Sequence, residues 1–241
     1  MSFTRKTSLV AGALYLLTFV SIPTLALYNS VLKDPGFILS STSNTGALVG
    51  ALLEVIVAFA GIGTAVVLYP VVKRQNQAFA LGFVTTRLFE AAMIAIGVIS
   101  VLSIVTLHQD LGAAAGPNAG ALGIAGQSFV SIYNGTFLLG QTLMPGMNAV
   151  LLGYLMYRSG LVPRIIPMLG LIGGPLMISS VVGQILGINE PISLWSGIAL
   201  VPIFLWELSL GLWLVFKGFK SSPLLAAASR EPRIAPEYAT A

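Results

Sequence analysis

Six apolar runs divide the chain, at Ser8–Tyr28, Gly46–Val72, Ala78–Leu107, Ser128–Tyr157, Ile166–Ile188 and Leu194–Phe216. Each is about as long as the roughly 20 residues a helix needs to cross the hydrocarbon of a bilayer. No water reaches backbone amides and carbonyls there, so each run has to satisfy its own hydrogen bonds as a helix. The expected fold is all-α: a polytopic membrane protein whose six transmembrane helices, near 8–28, 46–72, 78–107, 128–157, 166–188 and 194–216, form one bundle over residues 1–217. A hydrophobic content of 56% supports that class, since a soluble domain has roughly 45–50%.

The segments between the runs decide the orientation. In a six-span arrangement Arg5, Lys6, Lys73, Arg74, Arg158, Arg164, Lys217 and Lys220 fall on one side, with Arg230 and Arg233, while the other side carries only Lys33. Basic loops stay in the cytoplasm, so both termini are expected inside. The same spread explains a pI of about 9.5 without nucleic acid, because the cations sit on several short loops, where they orient the protein and meet anionic membrane lipid. Interfacial aromatics agree: Tyr69, Tyr157, Trp213 and Phe216 lie near the cytoplasmic boundary, Tyr28 and Trp195 near the outer one. A cleavable signal peptide, with Arg5 and Lys6 before the first run and small residues near Thr24–Ala26, is the weaker reading, because the run is as long as a full span. The chain has no cysteine, which excludes thiolate chemistry and cysteine-based metal or haem sites.

No connection is long enough to hold a second domain. The longest, His108–Gln127, is rich in Gly and Ala and reads as a slack outer loop in preference to a lid. Residues 218–241, with Pro223, Pro232 and Pro236 among mixed charges, are expected to form a disordered cytoplasmic tail. Gly46 with Gly50 and Gly183 with Gly187 make GxxxG pairs, and Gly61, Gly97, Gly170, Gly174, Gly197 and Gly211 offer further points of close helix approach. Pro175, beside Gly173 and Gly174, removes an amide inside the fifth span and should kink it.

Into this frame, in a chain with only 8% charged residues, the sequence sets Glu54, Arg87, Glu90 and Glu207 in mid-span. A charge at the centre of a lone transmembrane helix costs about 2.5–3.5 kcal/mol on insertion scales, so all four should face protein groups or water. Glu54 shares a helical face with Gly50 and Gly61, which turns it toward a neighbouring helix. Arg87 and Glu90 are three apart, the spacing of an intrahelical pair. Arg87 and Glu207 each stand about nine residues from the cytoplasmic end, roughly 14 Å deep, so they can meet. A guanidinium fork suits such a site, because it can satisfy two carboxylates at once. On the fourth span Asn134, Gln141 and Asn148 repeat every seven residues, a spacing that drifts only about 20° per step and predicts one polar ridge, loosened by Pro145. Tyr15, Tyr154 and Gln184 could complete a hydrogen-bonded interior. Three carboxylates against one guanidinium leave two excess negative charges, so at least one carboxylate is expected to carry a proton or meet a cation or water, Glu54 first among them.

Enzyme signatures are missing. His108, the single histidine, stands at the outer edge, and no HExxH, GxSxG, Walker or EF-hand pattern occurs. His108 with Asp110 and Glu190 makes a poor metal set. No catalytic residue, cofactor or metal is assigned.

The stretches Arg5–Phe19 (RKTSLVAGALYLLTF), Gly50–Val72, Leu81–Ala92 (LGFVTTRLFEAA) and Leu151–Pro167 (LLGYLMYRSGLVPRIIP) resemble bacterial membrane proteins catalogued as domain of unknown function 4386. The resemblance extends to about Phe216, and its most specific elements are Arg87 with Glu90 and the Tyr157–Gly160 turn before Pro163 and Arg164. It implies a six-helix integral protein of the bacterial cytoplasmic membrane and carries no activity, substrate or cofactor. Three functions stay open: binding or transport of a small molecule or ion at the buried polar site; a non-catalytic scaffold or accessory subunit that binds a partner membrane protein, lipid or a second copy; and, third, acid–base chemistry on a lipid by neighbouring carboxylates.

Overall fold

The computed structural model describes residues 3–111, 116–222 and 224–225; residues 112–115 of the expected outer loop, and 223 and 226–241 of the expected tail, lie outside them. Among the described residues every regular element is helical.

Helix α1 (Phe3–Leu17) passes into a 3₁₀ turn at Thr18–Ser21, and short α2 (Thr24–Leu27) continues it. Pro23 causes the break: it has no amide to offer the Phe19 carbonyl, which accepts instead from the Ile22 amide at 3.1 Å. Thr18 Oγ1 also ties back to the Tyr15 carbonyl at 2.7 Å. Short α3 (Asn29–Lys33) and a 3₁₀ turn at Phe37–Leu39 lead into the long helices α4 (Thr45–Val72) and α5 (Gln77–Leu111). Then α6 (Ala119–Thr136), a π-helical stretch at Phe137–Leu143 and α7 (Met144–Ser159) follow without an intervening loop, before α8 (Ile165–Ile185) and α9 (Leu194–Phe216).

Among the described residues, five helical runs are long and apolar enough to cross a membrane: Thr4–Leu27, Thr45–Val72, Gln77–Leu111, Ile165–Ile185 and Leu194–Phe216. The chain is therefore a multi-pass helical membrane protein. The fourth span expected at 128–157 falls in the run that the π-helical stretch divides, so it is no uninterrupted α-helix. Helix α5 reaches Leu111 and α6 begins at Ala119, so much of the expected loop at His108–Gln127 is helical.

The long helices close into a ring. Helix α1 packs on α4 and α9, α4 on α5, α5 on α6 and α7, α7 on α8, and α8 on α9. Glycines permit the tightest crossings: a Cβ on Gly12 would lie 2.8 Å from the Gly211 carbonyl oxygen, and one on Gly174 would lie 2.7 Å from that of Gly146. The Gly46–Gly50 pair receives Leu27 and Tyr28 in place of another long helix. Gly187, at φ +70°, lies past the end of α8, so Gly183 and Gly187 form no helix–helix motif. Outward faces carry Leu52, Phe59, Val66, Leu88, Ile99 and Ile172, all exposed, as lipid contact requires.

The two ends of the bundle differ. At the basic end, Ala11, Leu68, Val72, Leu155, Leu161 and Leu214 share one core. Arg5 donates from Nη1 to the Leu214 carbonyl at 3.1 Å and from Nη2 to that of Val215 at 2.6 Å, satisfying carbonyls that the end of α9 leaves without helical partners. Gly160, at φ +65°, stops α7, and the turn it opens accepts the Lys220 amide at the Leu161 carbonyl, 2.8 Å away. At the opposite end, with Lys33, a second core gathers Tyr28, Val31, Phe37 and Ile38 against Val101, Ile104, Val105 and Tyr133.

Candidate functional site

The buried positions of α4 run Ala47, Gly50, Ala51, Glu54, Val57, Ala60, Gly61, and those of α5 run Ala80, Phe83, Arg87, Glu90, Ala91, Ile94. Both stripes follow the helical period. The acidic and basic side chains therefore occupy places where the pattern calls for core residues, and the ring encloses them in two sites.

Arg87 is 2% exposed. Its Nη1 donates to Glu90 Oε2 at 3.0 Å and its Nη2 to Glu207 Oε1 on α9 at 3.4 Å. The guanidinium lies over the rings of Tyr15, 5.1 Å from the centroid, and Phe83, 5.8 Å away, a pair of cation–π contacts. Its Nε has no hydrogen-bond partner among the described residues. Glu90 Oε2 also accepts from Asn148 Nδ2 at 2.7 Å, and Thr86 Oγ1 donates to Asn148 Oδ1 at 2.5 Å. Helices α5, α7 and α9 thus share one charged cluster, with α1 supplying the aromatic face.

Glu54, 1% exposed, is satisfied separately. Thr24 Oγ1 on α2 donates to its Oε1 at 2.9 Å, and Gln141 Nε2 in the π-helical stretch donates to its Oε2 at 2.8 Å. Gln141 also borders the space beside Arg87, so one amide links the two sites.

Asn134 is exposed and joins neither site. The expected ridge assumed an unbroken α-helix, whereas the wider turns of Phe137–Leu143 absorb about one extra residue and rotate everything before them. Tyr133 consequently faces inward in its place, 5% exposed, edge-on to Tyr28 with ring centroids 5.6 Å apart. Pro145 stands at the start of α7, where its missing amide and its clash with the carbonyl four residues back favour such widening. On the neighbouring helix Met93 abuts Gly140, which has no side chain to hold it off.

Other expected participants lie elsewhere. Gln184 joins Ser180, Asn189, Ser193 and Ser196 in a hydroxyl and amide cluster where α8 turns into α9. Tyr154 stacks on Phe79, 4.5 Å between centroids. His108 Nδ1 lies 3.2 Å from the Ile38 carbonyl and its ring packs on Phe37, so its surroundings are those of a packing contact at the Lys33 end of the bundle. Thr24 and Thr86 escaped sequence reasoning, because a hydroxyl in an apolar helix commonly bonds to its own backbone, as Thr85, Ser100, Ser103 and Thr106 do.

The charged cluster borders a cleft of about 170 Å³. Arg87, Glu90, Gln141 and Glu207 form its polar wall, and Val57 and Ile203 are among its apolar lining. Glu207 is the most open of the charged groups, its side chain 18% exposed.

A ring of membrane-spanning helices around a buried carboxylate–guanidinium–amide network defines the class of this protein. The chain belongs to the family described as Domain of unknown function (DUF4386), which matches residues 10–218. No curated protein and no solved structure matches it.

Proposed function

We propose that the protein binds a small molecule or ion in the cleft beside Arg87, Glu90, Gln141 and Glu207, as a six-span protein of the bacterial cytoplasmic membrane with both termini inside. The observation that carries this reading is the cleft itself. A network serving only to fix helix register could close completely, whereas here a polar wall borders open volume between the helices. Ionisable groups within spanning segments face the bundle interior or a cavity and mark ligand and ion pathways. Two carboxylates in its wall, Glu90 and Glu207, against one guanidinium favour a positively charged guest. The basic clustering of Arg5, Arg158, Arg164, Lys217 and Lys220 supports the orientation, and the helical run Ala119–Ser159 supplies the length for a further span.

Native mass spectrometry of protein gently extracted from its own membrane tests the binding. Wild type should retain non-protein mass that is lost in an Arg87→Gln/Glu90→Gln variant; a bare chain in both would sink the reading. Topology is tested by single cysteines, introduced without background because the chain has none. In intact cells a membrane-impermeant maleimide should label Lys33→Cys and leave Arg158→Cys untouched, and the reverse pattern would invert the orientation.

One observation favours the scaffold reading. An apolar groove of about 390 Å³, walled by Val55, Phe59, Leu88 and Ala92, runs on the lipid-facing side of α4 and α5. A second polypeptide retained in the same spectra, with no small-molecule mass, would support that reading and count against the first.

A further inference from the structure

One flank of the cleft faces lipid. Up to Leu17, helix α1 is held against α9 at the Gly12–Gly211 crossing. The turn Thr18–Ser21 then leans on α4, and a gap opens between it and the first half of α9. Ile22, Leu200 and Phe204 form the rim, 53%, 56% and 41% exposed. At one level the Phe19 and Phe204 rings bridge the two elements edge-on, with centroids 5.4 Å apart, so an entering chain passes beside this contact or parts it. Leu200 and Phe204 follow the start of α9 at Leu194 by about six and ten residues, roughly 9 and 15 Å along its axis. Both fall within the roughly 30 Å hydrocarbon layer. The cleft therefore opens sideways, into the bilayer.

Size and charge narrow what enters. At about 170 Å³ the cleft is smaller than the roughly 300–1,000 Å³ of sites that enclose a drug-sized ligand. It has room for a head group, while the remainder of the molecule stays between the rim and the lipid. Its wall holds two carboxylates for one guanidinium, and that guanidinium already bonds both of them. An anion would have to displace Glu207 from Arg87. A cation can instead take the second carboxylate oxygen of Glu207, since among the described residues only Oε1 is hydrogen-bonded, to Arg87 at 3.4 Å.

We propose that the cleft takes the positively charged head of a membrane-dissolved amine, an alkylammonium amphiphile that enters sideways between Ile22, Leu200 and Phe204 and sets its nitrogen against Glu207. This rests on the reading of the cleft as a small-molecule site and adds the chemical class and the route.

The test uses dodecylamine carrying a photoactivatable diazirine, with the full chain in nanodiscs of zwitterionic lipid, and maps the labelled peptides. Labelling should saturate and fall on peptides containing Ile22 and Leu200–Phe204. Excess dodecylamine should lower it at least tenfold and dodecyl sulfate should not. Glu207→Gln should lower it comparably, and so should Leu200→Trp, which narrows the rim without touching a charge and so stands apart from any misfolding of the Glu207 variant. Equal competition by dodecyl sulfate would overturn the charge assignment. If dodecylamine labelling never saturates while water-soluble tetramethylammonium protects Glu207 from carbodiimide modification, the sideways route fails and the small-molecule site stands. If neither probe gives a saturable signal, both readings fail.

Discussion

Glu54 and Glu90 are carboxylates in mid-helix, 1% and 8% exposed, yet one meets a hydroxyl and an amide while the other meets a guanidinium and an amide. The first site uses neutral donors from α2 and the π-helical stretch. The second couples three charges across α5 and α9. Neutral donors each contribute a modest amount, whereas a buried ion pair binds its members to one another: removing one partner leaves an uncompensated charge, and the loss exceeds what the pair added. The two sites should thus respond differently to the same loss of charge.

The largest effect is expected at Arg87. Arg87→Gln strands Glu90 and Glu207 and should destabilise the protein by about 3–5 kcal/mol, as unpaired buried charges do, read as unfolding in mixed micelles or loss of monodisperse protein. Arg87→Lys should recover little, because an ammonium lacks the fork that reaches Glu90 and Glu207 at once. A stable Arg87→Gln protein would erase the contrast between the sites.

A double-mutant cycle comes next. Coupling between Arg87 and Glu90, 3.0 Å apart and deeply buried, should exceed that between Arg87 and Glu207 at 3.4 Å, within the roughly 0.5–3 kcal/mol that contacting residues display. Equal couplings would make the cluster a symmetric fork in place of a tight pair with a looser third member.

Glu54→Gln should cost about 1 kcal/mol, the scale of one rearranged neutral hydrogen bond. A loss as large as that at Arg87 would show that Glu54 depends on its charge after all. Smallest of all, Asn134→Leu should change stability by no more than about 0.5 kcal/mol, as surface substitutions do. A larger loss would restore Asn134 to the interior and contradict the register shift at Phe137–Leu143.

What could be read from sequence alone follows the same division. Pairing of Arg87 with Glu90 was legible because it depends on helical spacing within one run, and the approach of Glu207 because depth can be counted from charged loop ends. Asn134 was misplaced because one widened turn upstream of Pro145 shifts every earlier residue, and no local pattern announces where a helix widens. Thr24 was invisible for a different reason: it reaches Glu54 only because Pro23 breaks the first span and α2 settles against α4. The packing of Phe37 and Ile38 at the Lys33 end of the bundle was hidden in a segment whose polarity suggested a plain loop.

The closure of α1 against α9 has a consequence for how the protein is made. Synthesis delivers helices from the N-terminus onward, so α1 enters the bilayer with its Gly12 face uncovered and Arg5 without the carbonyls it will cap. Helices α4 to α8 insert before that seam can be sealed. Glu207 arrives only with α9, and until then Arg87 has one carboxylate beside it in place of two. The ribosome therefore finishes the cleft and locks the ring in a single late event, and a nascent chain stalled before α9 holds every wall of the site but the one that carries its most open charge.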